Sequence, residues 1–161
     1  MPAPLDSALL RLMRTRGHAP AAERSVARFS QLGEHGSIWM AIAALGWALD
    51  GDRRPQFARA GATIAAAYVT NQAIKVAVRR RRPRLEGLPP VVGTHSQLSY
   101  PSAHASTSFA GARALGALLP AAPLYALAVP LALSRPYLGV HYPSDTLAGA
   151  VLGTAVAELA R

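Results

Sequence analysis

Ser134-Arg135-Pro136-Tyr137-Leu138-Gly139-Val140-His141-Tyr142-Pro143-Ser144-Asp145 joins two apolar runs, Leu124–Leu133 on one side and Ser144–Leu159 on the other. Both runs read as helices, Pro130 kinking the first and Ser144 or Asp145 serving as N-cap of the second. The stretch therefore sets a fixed cation, an imidazole and a carboxylate between a helix exit and a helix entry. An Arg guanidinium can clamp a phosphoryl group bidentately. A neutral His can attack phosphorus and carry it covalently. An Asp four residues on can accept the other ring N–H and so fix the tautomer. That is half of a phosphoryl-transfer site, and the remaining chain must supply a proton donor and further cations.

Upstream, Ala103–Leu119 reads as a helix closed by the turn Pro120–Pro123, and Phe57–Val78 as a long apolar helix with Thr70, Asn71 and Lys75 near its end. Asn71 and Lys75, four apart, share a face. Between these helices lie the run Arg79–Arg82 and a loop rich in Pro and Gly that ends at Pro101. Ser37–Leu49 is the first apolar run and Asp50–Pro55 a turn. Residues 4–30 mix Leu5, Leu9, Leu10, Leu12 and Met13 with Arg11, Arg14 and Arg16, and Gly17 and Pro20 break the pattern. They form one or two amphipathic helices, either packed on the bundle or lying at a membrane surface with the Arg side chains snorkelling.

The expected fold is all-α: a polytopic membrane bundle of about five core helices with an N-terminal amphipathic helix. One domain spans residues 1–161, with 1–33 as an interfacial segment and 37–161 as the helical core. A span needs about 20 apolar residues, and of the five only Phe57–Val78 has that length. The abundance of Ala and Gly, and the want of a regular charged face, favour membrane over a soluble bundle. No early apolar core with a small-residue cleavage site is visible, so no cleavable signal peptide is expected.

Composition narrows the chemistry. Cys is absent, which excludes disulfides and thiolate catalysis. Net charge is +9 with only 16% charged residues, so the basic excess is clustered Arg on an apolar chain. That suits phosphate groups or an anionic lipid surface. No basic stretch is interleaved with stacking aromatics, which argues against nucleic acid.

If successive helices run antiparallel, the exits of the second and fourth and the entries of the third and fifth fall at one end. Lys75, Arg82, Ser102, Ala103, His104, Arg135, His141 and Asp145 all sit at those places. Lys75, Arg82 and Arg135 would hold the phosphoryl oxygens. Helix N-termini would aim backbone N–H groups at the same anion, with Ser102 and the Ala103 amide as donors. His104 would be the general acid and His141 the nucleophile oriented by Asp145, giving a bell-shaped rate against pH. Three cations and two helix ends leave no need for a metal or other cofactor. Arg79, Arg80 and Arg81 read as a solvated anchor beside a membrane helix. His18 and His95 read as surface residues and Glu34-His35 as a helix cap, while Arg113 carries no assigned role.

The pattern K-x6-R-P, P-S-x-H and S-R-x5-H-x3-D, spread over residues 75–145, resembles the signature of the type-2 phosphatidic acid phosphatase superfamily. That superfamily also contains bacterial acid phosphatases, glucose-6-phosphatase and vanadium haloperoxidases. It commonly has Gly where Ala103 stands; Ala keeps the backbone N–H. The resemblance implies a phosphate pocket of Lys75, Arg82, Ser102, Ala103, His104 and Arg135, and a metal-free membrane bundle acting on a lipid-linked phosphate. A short Ala- and Arg-rich chain with Gly33-Glu34-His35 before the first core helix also resembles the actinobacterial phosphatases acting on decaprenylphosphoryl-5-phosphoribose. An undecaprenyl-diphosphate phosphatase or a phosphatidylglycerophosphatase would carry the same catalytic residues, and a non-catalytic partner of a prenyltransferase is the alternative of another class. Five N-terminal Arg on the site's side place that side toward the cytoplasm by the positive-inside rule. Membrane lipids are the expected partners, and no oligomeric state is indicated.

Overall fold

The computed structural model describes residues 4–161; Met1, Pro2 and Ala3, the first residues of the expected domain, lie outside the described residues. The described residues form seven α-helices: α1 (Pro4–Thr15), α2 (Pro20–Gln31), α3 (Ser37–Leu49), α4 (Arg54–Val78), α5 (Ala103–Leu115), α6 (Ala121–Tyr137) and α7 (Pro143–Leu159). A 3-10 turn, Glu34–Gly36, links α2 to α3, and no strand occurs among the described residues. The all-α expectation holds, with two N-terminal helices rather than one. Helix α5 stops at Leu115, four residues early, and α6 runs on through Pro130 to Tyr137, so Ser134 and Arg135 lie in its last turn. The N-cap of α7 is Tyr142, not Ser144 or Asp145. Pro143 takes the first helical position, where its missing N–H costs nothing, and the Asp145 carboxylate reaches back to the Tyr142 N–H at 2.8 Å.

Length and hydropathy part company in this bundle. No helix among the described residues is long and apolar enough to cross a membrane. Helix α4 has 25 residues, about 37 Å at 1.5 Å per residue. However, Arg54, Gln56 and Arg59 at its start and Asn71, Gln72 and Lys75 near its end interrupt the apolar run read as a span. Helices α3 and α5 have 13 residues each, and α6 and α7 have 17 each.

The interior is divided lengthwise. Trp39, Phe57, Ile64, Leu115, Leu124 and Leu131 make an apolar core, and the Trp39 indole N–H donates to Ser108 Oγ at 3.0 Å. At the other end the buried side chains are polar: Asn71, Lys75, Ser99, Ser102, His104, Arg135, His141 and Asp145. Burying that many polar groups is unfavourable unless they are partnered or serve a ligand.

Helices α5 and α7 meet through glycine. A Cβ on Gly149 would stand 2.5 Å from the Ser102 carbonyl oxygen, and one on Gly153 would stand 2.1 Å from that of Ser106. Two glycines four apart thus let the backbones touch. This approach puts the two helix N-termini side by side, and the Ser102 N–H donates to the Asp145 carbonyl at 2.9 Å.

Helix α1 packs with the opposite sense to a soluble surface helix. Asp6, Leu10 and Arg14 face inward, while Leu5, Leu9 and Leu12 face out. Arg14, read as snorkelling, is instead buried, donating to the carbonyls of Tyr137 (3.1 Å) and Pro89 (2.8 Å). His18 is not a surface residue either: it stacks on Tyr137 with ring centroids 4.1 Å apart and bonds Glu23 at 2.8 Å.

Candidate active site

The end of α4, the start of α5, the last turn of α6 and the loop before α7 converge on a cavity of about 630 Å³. Lys75, Arg82, Ala103, His104, Arg135 and His141 line it. Of the predicted residues, Ser102 and Asp145 stand behind this surface rather than on it. Ala27, Ser30, Gln31 and Glu34 line one side of it, a contribution that sequence reasoning missed.

Of the three cations Lys75 and Arg135 are buried and Arg82 is half-buried, and none is neutralised by a carboxylate at ion-pair distance among the described residues. Lys75 Nζ donates to the Pro101 carbonyl at 2.9 Å. Arg82 donates to the carbonyls of Ser96 (2.6 Å) and Val140 (2.8 Å). Arg135 donates to Ser30 Oγ at 2.8 Å, and its Nε is buried without a partner. Ser102 Oγ is likewise buried and unpartnered. Three desolvated cations with donors left over are costly in an empty protein, and they are what an anion would satisfy.

The geometry also assigns a tautomer. Arg82 has donors only, so His141 Nε2, 3.0 Å from Arg82 Nη1, must accept. Nδ1 therefore carries the hydrogen. Burial, offset in part by Asp145, together with the charges of Arg82, Lys75 and Arg135, holds the His141 pKa down at about 3. The ring is thus a neutral imidazole with its nucleophilic lone pair on the cavity side.

Behind it, His141 Nδ1 lies 3.6 Å from Asp145 Oδ2, too long for a hydrogen bond. Ser99 sits between them: its hydroxyl donates to Asp145 Oδ2 and stands 3.5 Å from His141 Nδ1. Asp145 Oδ1 accepts from Arg80 at 2.7 Å, and Arg80 reaches Asp6 Oδ2 at 2.6 Å with its other nitrogen. Arg80 is therefore no solvated anchor. It bridges α1 to the carboxylate behind His141, and its guanidinium lies 4.2 Å from the centre of the Tyr142 ring. Asp6 also accepts from the Ser144 N–H at 3.0 Å. Burial raises the Asp6 pKa, but the bonds from Ser144 and the Arg80 charge outweigh it and leave the carboxyl below its usual range. An Asp within an Arg-rich amphipathic helix was the signal available in the sequence.

His104, in the first turn of α5, bonds the Ser30 carbonyl at 3.0 Å through Nε2, which lies 3.8 Å from Glu34. That imidazole presses on the α2–α3 turn at Gly33, where a Cβ would meet His104 Cδ2 at 2.8 Å. Glu34-His35 is not a cap: the N-cap of the first core helix is Gly36, with no side-chain cap bond, and both residues line the cavity. His95 is exposed, as expected of a surface residue, and it also borders the cavity. Arg113 is remote from the site and pairs with Glu158 at 2.5 Å.

Comparison with known proteins shows the family. The family model described as PAP2 superfamily matches residues 56–161. The chain is 42% identical over 134 residues to the decaprenylphosphoryl-5-phosphoribose phosphatase of Mycobacterium tuberculosis, covering 81% of this chain and 73% of that one. It is 39% identical over 145 residues to the enzyme of the same name from Mycolicibacterium smegmatis, covering 89% and 80%. Among solved structures, Aquifex aeolicus LpxE superposes with a TM-score of 0.83 at 23% identity, covering 98% of this chain and 95% of that one. A transmembrane PAP2 type phosphatidylglycerolphosphate phosphatase from Bacillus subtilis superposes with a TM-score of 0.79 at 23% identity, covering 97% and 82%. These two likenesses speak to fold. With a matching family model over most of its length and relatives near 40% identity, the chain belongs to the PAP2 superfamily.

Proposed function

We propose that this protein is a membrane phosphatase that hydrolyses a lipid-linked phosphomonoester through a phosphohistidine, its substrate a prenyl-phosphosugar phosphate of the decaprenylphosphoryl-5-phosphoribose type. The hydrolase class rests on family membership and on the named relatives. The observation that carries the mechanism is the set of three cations lining the cavity, two of them buried, with the free Arg135 Nε and Ser102 Oγ, around a neutral His141.

In the first step the phosphoryl oxygens take the donors of Lys75, Arg82 and Arg135, and Arg82 moves from His141 Nε2 to an oxygen. The Nε2 lone pair then forms a P–N bond as the ester P–O bond breaks. His104, protonated beside the incoming phosphate dianion, gives its proton to the leaving alkoxide. In the second step water attacks phosphorus, His104 takes a proton from it, and the P–N electrons return to Nε2. Asp145 and Ser99 hold the charge that develops on Nδ1–H. The positive charge that a metal would supply elsewhere comes here from side chains and helix N-termini.

Lipid as the setting rests on the outer surface. Leu45, Trp47 and Leu49 of α3, Val69 and Val76 of α4 and Leu147 and Val151 of α7 all face outward. Together with the outward leucines of α1 they give the bundle an apolar exterior of the kind that contacts lipid. The helices are short for independent spans, so the bundle would sit in a locally thinned bilayer with polar helix ends at the headgroups. Arg11, Arg16, Arg24 and Arg28 lie on the site's side and favour the cytoplasmic face.

The test is phosphate release by the purified chain in detergent from a prenylphosphoryl-5-phosphoribose, a prenyl diphosphate and a phosphatidylglycerol phosphate. The phosphoribosyl lipid should turn over fastest, and His141→Ala should abolish turnover together with an acid-labile phosphoenzyme. Full activity in that variant would refute the mechanism; preference for the diphosphate would refute the substrate.

A further inference from the structure

The cavity lining also carries side chains that phosphate transfer does not use. Glu34, His35 and His95 bring one carboxylate oxygen and two ring nitrogens within 4.8 Å of one another. His35 Nδ1 bonds the Tyr68 hydroxyl at 2.9 Å, which leaves Nε2 toward Glu34 at 3.9 Å. The Glu34 carboxylate accepts no hydrogen bond among the described residues, since its contacts to His35 (3.9 Å) and His104 (3.8 Å) are both too long. Tyr68, Gln72 and Lys75 all line the cavity from α4, at spacings of four and three that share one face. Tyr68 is thus about 10 Å along the helix from the Lys75 cation.

We infer that Glu34, His35 and His95, with Tyr68 and Gln72, form a subsite for the hydroxyl groups of the sugar that bears the phosphate, and that Glu34 excludes a second phosphate from that place. A carboxylate with free lone pairs takes adjacent O–H donors in charge-assisted bonds. Imidazole, phenol and amide groups both donate and accept, as a polyol requires. A diphosphate in the same pose, its terminal phosphate on the cations, would press its inner phosphate onto Glu34 and be repelled. This subsite rests on the phosphatase reading and narrows it to a phosphomonoester carried by a neutral hydroxylated group.

The test compares three substrates on the full chain in detergent: a short-chain prenylphosphoryl-5-phosphoribose, its 2,3-dideoxy counterpart, and farnesyl diphosphate. Wild-type protein should prefer the first over the second in kcat/KM. Glu34→Gln, which keeps shape and removes charge, should cut that preference about tenfold, the size of one charge-assisted hydrogen bond. It should also raise farnesyl diphosphate turnover relative to wild type. His95→Ala, at an exposed position, should lower the same preference without raising diphosphate turnover. An unchanged preference in both variants, or an equal loss on both monoesters, would overturn the subsite while the phosphatase reading stood. Tight Zn²⁺ binding by calorimetry that His95→Ala abolished would make the cluster a metal centre and also overturn it. A wild-type protein that released phosphate from none of the three would refute the phosphatase reading, and the subsite with it.

Discussion

Replacing Arg80 by Ala would remove one side chain and strand two carboxylates. Asp145 is 0% exposed and Asp6 is 6% exposed, and Arg80 pairs with them at 2.7 and 2.6 Å. Breaking a buried pair from one side costs about 3–5 kcal/mol, because the charge left behind has lost its partner. The Arg80 side chain is 22% exposed, so water can reach part of the gap and the lower end, about 3 kcal/mol, applies. For a chain of this size that lowers the unfolding midpoint by roughly 6–12 °C. The activity loss should be smaller than for a change at Asp145 itself, since Ser99 and the Tyr142 N–H still hold Oδ2. A fall in kcat of about tenfold is expected for Arg80→Ala, against about 10³ or more for Asp145→Asn, which presents the wrong group to His141. Arg80→Lys can reach only one carboxylate at a time and should fall between. Asp6→Asn should destabilise while sparing most of kcat. Thermal unfolding in detergent and phosphate release at saturating lipid read the two effects separately. Wild-type midpoint and kcat in Arg80→Ala would refute the bridge and return Arg80 to the role of a solvated anchor.

Three further outcomes follow from the same geometry. Ser99→Ala removes the hydroxyl between His141 and Asp145 and should lower kcat about tenfold with KM little changed, read by steady-state phosphate release. The His141 pKa is depressed to about 3 in the folded chain against about 6.5 unfolded, so the unfolded state binds one more proton between those values. Stability should therefore be fullest above about pH 6.5 and decline toward pH 3, by up to about 1.4 kcal/mol per pH unit, and His141→Asn should flatten that decline in unfolding titrations. Gly153→Ala would thrust a methyl to 2.1 Å from the Ser106 carbonyl and should destabilise by about 3 kcal/mol or more by thermal unfolding, with loss of activity as α5 and α7 part.

Residue type and spacing alone determined the chemistry of the front of the site. An Arg, a His and an Asp in twelve residues, and Lys75, Arg82 and His104 at matching helix ends, were legible because helix ends alternate sides whatever the packing. The all-α class was legible because the apolar runs are long and bounded by Pro and Gly. What only the tertiary structure decided is everything behind those side chains. Ser30, 74 residues from His104 and 105 from Arg135, holds both through one carbonyl and one hydroxyl. Ser99 stands between His141 and Asp145, and Asp6 reaches Asp145 through Arg80 across the whole chain. Such contacts use groups that nearly every segment carries, so no local pattern marks them. They depend on how closely α5 and α7 approach and on which way α1 turns, and those are set by glycine contacts and burial that exist only once the helices are packed.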